Sequence, residues 1–483
     1  MRLPIELIAA ILLAKVFQDS ASGAGPSLWA ALASGAALIG GAWLIPRLGW
    51  LALRRRLRER PELRPAVYEE HARLAAGARC FTVAAYGAFL YGTGWSALMH
   101  DWLAAAFAPA GGNPDPTVIG DDLLQLLPFL SASAALWIGD YPAVRELSPA
   151  DWSLGEYLGH QARGTLFLLG PWLGMVLVFD SQPYWPWGLA ELFRRSLAAQ
   201  LGLTALVFAA AVLLFPLYLA RLWPAQPLPG GELRARLEAL LARARVGCRE
   251  LLVWNTGRAR LPNAAVMGLV RPLRYVAFTD ALLAELAPEE VEAVLAHEVG
   301  HVRHQHMGFY ALFAASFLVF GAVGISLLPQ ELVSAPAPES QAAVALALVA
   351  LVVVYWRLLF GYLSRRFERQ ADAAACELLG SAGPLVAALE KLAVAAGSPR
   401  AARSWRHYSV AERVAFLERV GPHRELLGDY HRYVRKVKLA AALIALLALA
   451  VVLLRELGAR SGAEATAAGA GPDRPAPPAA GHE

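Results

Sequence analysis

Long apolar runs constrain this chain more than any other feature. Stretches of about 18 or more residues with few charges recur along its 483 residues, and a helix of that length spans the hydrocarbon core of a bilayer. Composition agrees: hydrophobic residues make up 57% of the chain, charged residues 17%, and the mean hydropathy is +0.43. A soluble protein of this size carries about 25% charged residues. The expected fold is therefore mainly α, a polytopic membrane protein. The net charge of +5 comes largely from arginine clusters beside the apolar runs. That placement reads as membrane-flank charge and gives no footprint for nucleic acid. Cys80, Cys248 and Cys376 lack metal-ligand spacing and suggest no disulfide framework.

The runs divide the chain. Residues 1–221 read as an N-terminal multi-span membrane region and 222–306 as a soluble segment. Residues 307–363 hold two spans, 364–436 a second soluble segment, and 437–456 the last span. The Ala, Gly and Pro-rich tail, 457–483, is expected to be disordered. Spans are expected near 28–50, 80–106, 122–139, 164–180, 197–221, 308–328, 342–363 and 438–455. LPIELIAAILLAKVF at the N-terminus is favoured as a further span with Lys15 snorkelling, against a cleaved or interfacial segment. The loop 51–79 is densely basic and belongs in the cytoplasm. Counting spans from it puts both soluble segments, 222–306 and 364–436, on that side as well. The Ala, Leu, Arg and Gly bias suggests a bacterial source, so the expected home is a bacterial inner membrane.

Within the first soluble segment stands HEVGH, His297 to His301, inside APEEVEAVLAHEVGHVRHQH. Pro288 suits a first helical position, and Glu289 and Glu290 load the first turn with negative charge. On a helix His297 and His301 leave the same face one turn apart, a separation that lets two imidazoles grip one Zn²⁺. Glu298 sits beside them, where a carboxylate can take a proton from a metal-activated water. Two surface histidines on a helix would give the same pattern, so the zinc reading requires a third ligand. The second soluble segment opens with SRRFERQADAAACELL, in which Glu368 and Asp372 share a helix face. Alone they read as a solvated acid pair among arginines. Joined to HEVGH, Glu368 completes a His, His, Glu set with water as the fourth ligand. Asp372 can then hydrogen-bond a ligand histidine and fix its tautomer. The pattern with a third histidine at the sixth residue after the second fails, since 304 is His where Gly is required and 307 is Met. Arg303, His304 and His306 read as the polar end of the helix where it meets the lipid surface.

RELLVWN at 249–255, NAAVMG at 263–268 and RYVAFTD at 274–280 look like strands of a small sheet. An exposed strand edge beside a metal site can hold an extended peptide by main-chain hydrogen bonds.

Four stretches together carry a resemblance to a known family. They are HEVGHVRHQH at 297–306, SRRFERQAD at 364–372, PNAAVMGLVRPLRYVAFTDALL at 262–283 and HYSVAER at 407–413. Over roughly residues 231–420 the chain resembles the M48 family of membrane zinc metallopeptidases, gluzincins that include HtpX-like and Ste24-like CaaX proteases. The last stretch departs from the family's H-P-x-x-x-x-R, with Tyr408 in place of Pro. The first 200 or so residues carry no part of it. The resemblance implies a zincin-type α+β module with a small sheet and an HExxH helix, holding one Zn²⁺ per chain. It implies that His297, His301 and Glu368 bind the zinc and that Glu298 is the general base. Asp372 would orient a ligand, His407 would help stabilise the oxyanion, and Arg413 would hold the site together. Asn263 and Ala264 would lie on the strand that pairs with the substrate backbone. Partners would be protein or peptide substrates and membrane lipid, without nucleic acid. The implied function is zinc-dependent hydrolysis of peptide bonds in membrane or misfolded proteins at the cytoplasmic membrane surface. Alternatives are a Ste24-like processing protease for a defined lipidated substrate, and a membrane scaffold or transporter with a vestigial peptidase module.

Overall fold

The apolar runs form helices. The computed structural model describes residues 5–17, 27–107, 120–147, 151–257, 262–326, 338–395, 400–402 and 404–469. The described part of the first half is built of helices: α1 (Ile5–Val16), α2 (Leu28–Glu59), α3 (Arg64–Thr93), α4 (Trp95–Phe107), α5 (Gly120–Leu147), α6 (Leu154–Asp180), α7 (Leu189–Arg195) and α8 (Leu197–Leu222). Among the described residues six helices are long and apolar enough to cross a membrane: Leu28–Glu59, Pro61–Thr93, Gly120–Leu147, Leu154–Asp180, Ala199–Leu222 and Glu425–Arg455. The chain is a multi-pass membrane protein. Helix α1 has 12 residues. At 1.5 Å per residue that is about 18 Å, short of the roughly 30 Å hydrocarbon core.

Two features of this region differ from the sequence reading. The expected span near 80–106 is divided at Gly94, whose φ of 56° closes α3 and lets α4 turn away. The basic stretch 51–79 is helical on both sides of a short turn at Pro61–Leu63, not a loop. Arginine is a good helix former, and here its charge is matched across helices. Arg56 pairs with Glu70 at 2.5 Å and Arg54 with Glu146 at 2.6 Å.

The second half adds a small sheet: β1 (Ala225–Pro227), α9 (Glu232–Ala244), β2 (Glu250–Trp254), β3 (Ala264–Met267), β4 (Tyr275–Thr279), α10 (Asp280–Glu285) and α11 (Pro288–Arg303). After it come α12 (His306–Ser326), α13 (Pro338–Val353), a π-helical turn at Val354–Phe360, α14 (Gly361–Leu379), α15 (Gly383–Ala395), α16 (Val410–Val420) and α17 (Arg424–Gly469). Strand order is β1-β2-β4-β3, with β2 and β4 parallel and the outer pairs antiparallel. The edge strands are thus β1 and β3, and β3 is the one that borders α11. Leu251, Val276 and Phe278 of the sheet are buried in one core with Leu240 of α9 and Leu295 of α11. The Thr279 hydroxyl accepts from Leu282 N at 3.2 Å, which caps α10, and from Asn263 N at 2.8 Å, which anchors the start of β3.

Helices α11 and α14 touch backbone to backbone. A Cβ on Gly300 would fall 2.8 Å from Ala371 Cα and 3.0 Å from Ala371 O. Small residues on both sides therefore set the distance between the HEVGH helix and the helix that carries Glu368. Helix α17 runs on to Gly469, twelve residues past the expected start of disorder at 457. The segment is alanine-rich, and alanine is the best helix former. The rest of the expected tail, 470–483, lies outside the described residues.

Candidate metal centre

The site begins with how α11 starts. Pro288 occupies the first helical turn, and Glu290 folds back to accept from Ala287 N at 2.8 Å. Lys391 of α15 donates to the same carboxylate at 2.9 Å, which ties the helix start to its neighbour. Three turns on, His297 and His301 point into the protein at 7% and 9% exposure, their Nε2 atoms 3.2 Å apart. Glu368 of α14 faces both. Its Oε2 lies 3.7 Å from His297 Nε2 and its Oε1 3.6 Å from His301 Nε2. Ligand atoms of His297, His301 and Glu368 all lie within 4.8 Å of one another. Two imidazole nitrogens and a carboxylate, all buried and facing one point, form a donor set that suits zinc. Two unprotonated nitrogens aimed at each other at 3.2 Å repel unless a cation stands between them.

The surroundings fix these groups. Asp372, fully buried one turn along α14, lies 2.9 Å from His297 Nδ1. Arg413 of α16 donates twice to that carboxylate, from Nε at 3.0 Å and from Nη2 at 2.6 Å. Burial alone would push the Asp372 pKa up, but the Arg413 guanidinium and His297 together outweigh it and the net direction is down. Burial also acts to lower the His297 pKa, and the hydrogen bond and charge of Asp372, with the charge of Glu368, together overcome it, so His297 is raised. His301 has no such carboxylate on its ring, and burial pushes it down to about 3. It is therefore held as a neutral imidazole. Burial raises Glu368 as well, but His407, with Nδ1 3.1 Å from Glu368 Oε2, leads the groups that bring it well below the usual carboxylate range.

Glu298 points the other way along α11, toward the sheet. Its Oε2 accepts from the backbone N–H of Val266 on the edge strand at 3.0 Å. That bond orients the carboxylate, and burial raises its pKa. Because strand residues alternate, Ala264 turns its backbone N–H and C=O to the same open side as Val266, away from β4. Asn263 is exposed just before the strand. All three residues border a cavity of about 1800 Å³ that also reaches His297, Glu298 and Glu368. The same cavity runs back to Trp137 of α5 and to His160 and Arg163 of α6, among the membrane helices.

Every residue singled out from the sequence is therefore near this point, although they come from four separate stretches. One reading needs correction. His306 is not at the lipid surface but fully buried, with Nδ1 3.0 Å from His301 Nδ1 and Nε2 2.9 Å from Gln370 Oε1. Gln370 was not singled out by the sequence at all. It stands among the charged residues of SRRFERQAD, which hide it, whereas His306 had one sequence signal, a polar residue opening an otherwise apolar helix.

Comparison with known proteins gives a consistent picture. Residues 227–425 match peptidase family M48. A protein named Protease HtpX homolog from Aeropyrum pernix is 31% identical over 264 residues, which covers 53% of this chain and 71% of that protein. A second Protease HtpX homolog, from Janthinobacterium sp., is 33% identical over 144 residues, 27% of this chain and 48% of its own length. A protein named CAAX prenyl protease 1 homolog from Oryza sativa subsp. japonica is 31% identical over 228 residues, 44% of this chain and 53% of that one. Apart from the A. pernix protein, the chain spans about half the length of these curated relatives. Among solved structures, the crystal structure of S. mikatae Ste24p shares the fold, with a TM-score of 0.52 at 16% identity over 86% of this chain and 99% of that one.

Proposed function

The chain belongs to peptidase family M48, and from that premise we propose that it is a zinc-dependent endopeptidase embedded in a membrane. The observation that carries the proposal is the meeting of His297, His301 and Glu368 from two distant segments, beside Glu298 and an open strand edge. In this reading His297 and His301 offer Nε2 and Glu368 its carboxylate to one Zn²⁺. Bound there, zinc acidifies a water molecule and polarises a carbonyl. Glu298 takes the proton from the attacking water and returns it to the leaving amine, and burial suits it to both steps by raising its affinity for a proton. Asp372 keeps the hydrogen of His297 on Nδ1, and Arg413 keeps Asp372 in place. His407, placed by the approach of its Nδ1 to Glu368 at 3.1 Å, would serve the oxyanion.

Substrate would lie along β3 as an added strand, held by the outward N–H and C=O of Ala264, with Asn263 at its start. The pairing would end at Val266, whose N–H is already given to Glu298. Recognition by backbone favours extended or unfolded segments, so the substrates proposed are misfolded or membrane proteins. The arginine distribution supports a site facing the cytoplasm of a bacterial inner membrane. A second reading, a processing protease for one defined substrate, is favoured by the cavity of about 1800 Å³ that reaches the membrane helices. The two readings separate on incubation of the purified full chain with casein. Cleavage supports the general endopeptidase, and cleavage lost in Glu298→Gln, with zinc retained, supports the assigned base. An active Glu298→Gln protein would defeat this chemistry. Intact casein with the wild-type, zinc-loaded protein would favour the processing reading.

A further inference from the structure

The metal-binding reading leaves one ligand, His301, with its second ring nitrogen unaccounted for. That nitrogen faces a line of polar side chains buried between α12, α14 and α17. His301 Nδ1 lies 3.0 Å from His306 Nδ1. His306 Nε2 lies 2.9 Å from Gln370 Oε1, and Gln370 Nε2 lies 3.2 Å from His431 Nδ1. His431 Nε2 comes within 3.3 Å of the Glu377 carboxylate, a charge contact without hydrogen-bond alignment. His306 and Gln370 are 0% and 2% exposed, so water does not supply alternative partners.

Each link fixes the next. A histidine that gives Nε2 to a metal carries its hydrogen on Nδ1. His306 must then accept at Nδ1 and carry its own hydrogen on Nε2. Gln370 must accept that hydrogen at Oε1, which leaves its amide N–H to donate to His431 Nδ1. His431 then carries its hydrogen on Nε2, where the Glu377 carboxylate is waiting. The negative charge of Glu377 beside His431 Nε2 favours the same tautomer at that ring. Read from the metal end the line runs in one direction, and no group in it is left with two donors or two acceptors face to face.

We propose that His306, Gln370 and His431 act as positioning residues that hold His301 in the tautomer with Nε2 free for the metal, and so anchor the metal centre to the last membrane helix. Packing holds the line in place. His306 stacks on Phe367 at 4.3 Å with the rings 2° from parallel, and His304 stacks on His431 at 4.4 Å. Lys438, further along α17, donates to His304 O at 2.5 Å. Asp372 plays the corresponding part for His297 with a carboxylate. The two ligand histidines are thus held by different chemistry: one directly by a buried carboxylate, the other through a line of imidazole rings and an amide.

The proposal rests on the zinc reading of the site, and its test separates the two. Zinc affinity is measured by chelator competition on the purified full chain, for wild type, His306→Phe and His306→Asn. Phenylalanine keeps the stack on Phe367 but removes the acceptor. Asparagine loses the stack but places Oδ1 where Nδ1 stood, the same number of bonds from Cβ. Zinc affinity is expected to fall about 10–100-fold in His306→Phe and to stay within about threefold in His306→Asn. A purely structural role would give the opposite order. Wild-type zinc affinity in His306→Phe, or equal losses in both variants, would overturn the proposal alone. A wild-type chain that binds no zinc would overturn the reading of the site and this proposal with it.

Discussion

Asp372 shows what a single buried charge does at this centre. It is fully buried, accepts from His297 and is gripped twice by Arg413. Asp372→Ala removes the orienting bond and leaves the guanidinium without its carboxylate. Zinc affinity should fall by roughly 10–100-fold. Breaking one side of a buried pair should also lower stability by about 3–5 kcal/mol, read as a drop in Tm of the metal-free protein. An unchanged Tm together with unchanged zinc affinity would show that neither interaction matters. At this scale the sequence was informative where residues repeat at helical spacing. His297 with His301 and Glu368 with Asp372 are each four apart on one uninterrupted helix. His306 was misread because that continuity fails. Helix α11 ends at Arg303, Gln305 takes φ 55°, and the chain turns so that His306 opens α12 facing inward. Glutamine carries no sign of a left-handed backbone, so nothing in the sequence marked the turn, and His306 reads with Arg303 and His304 as the helix's polar end.

Between elements, the decisive contact is α11 on α14. Gly300→Ala would drive a methyl into Ala371 at 2.8–3.0 Å, against backbone atoms that cannot turn aside. The helices must separate, which should cost about 1–3 kcal/mol and pull Glu368 away from the histidines. Gly308→Ala on α12 is the matched control, since nothing lies within 4 Å of its added Cβ. It should be neutral or stabilise by up to about 1 kcal/mol through helix propensity. Equal Tm and zinc content in the two variants would contradict this packing. Strands β2 and β4 were legible from their Val, Trp, Tyr, Phe and Thr residues, whereas β3, Ala264–Met267, holds a single β-branched residue and was legible mainly through the family resemblance of its stretch. Ala225–Pro227 was not, because it is short and has no strand composition, and it joins the sheet only through its partner β2. The helical reach of the basic stretch and of the segment up to Gly469 was missed for a related reason. Charge and alanine content speak to solubility and flexibility, while helix formation depends on propensity and on partners such as Glu70 and Glu146.

Over the whole molecule, the membrane helices and the small sheet share one cavity that reaches the metal ligands. The apolar runs announced the membrane class at once, but the cavity is a product of how the helices lean together, and no local pattern encodes it. The proposed cytoplasmic orientation of the site can be tested by labelling. Ala284, exposed at the end of α10, is replaced by cysteine in a chain with Cys80 and Cys248 changed to serine. An impermeant thiol reagent should reach it in inverted vesicles and not in intact cells, and labelling in intact cells would reverse the topology. What remains is whether two segments nearly seventy residues apart build one zinc site, and elemental analysis of the purified full chain answers it. Wild type and Glu298→Gln should each hold about one zinc per chain, and Glu368→Ala, left with two imidazoles, should lose its zinc on dialysis. A Glu368→Ala protein that keeps a full equivalent of zinc would contradict the site as built here.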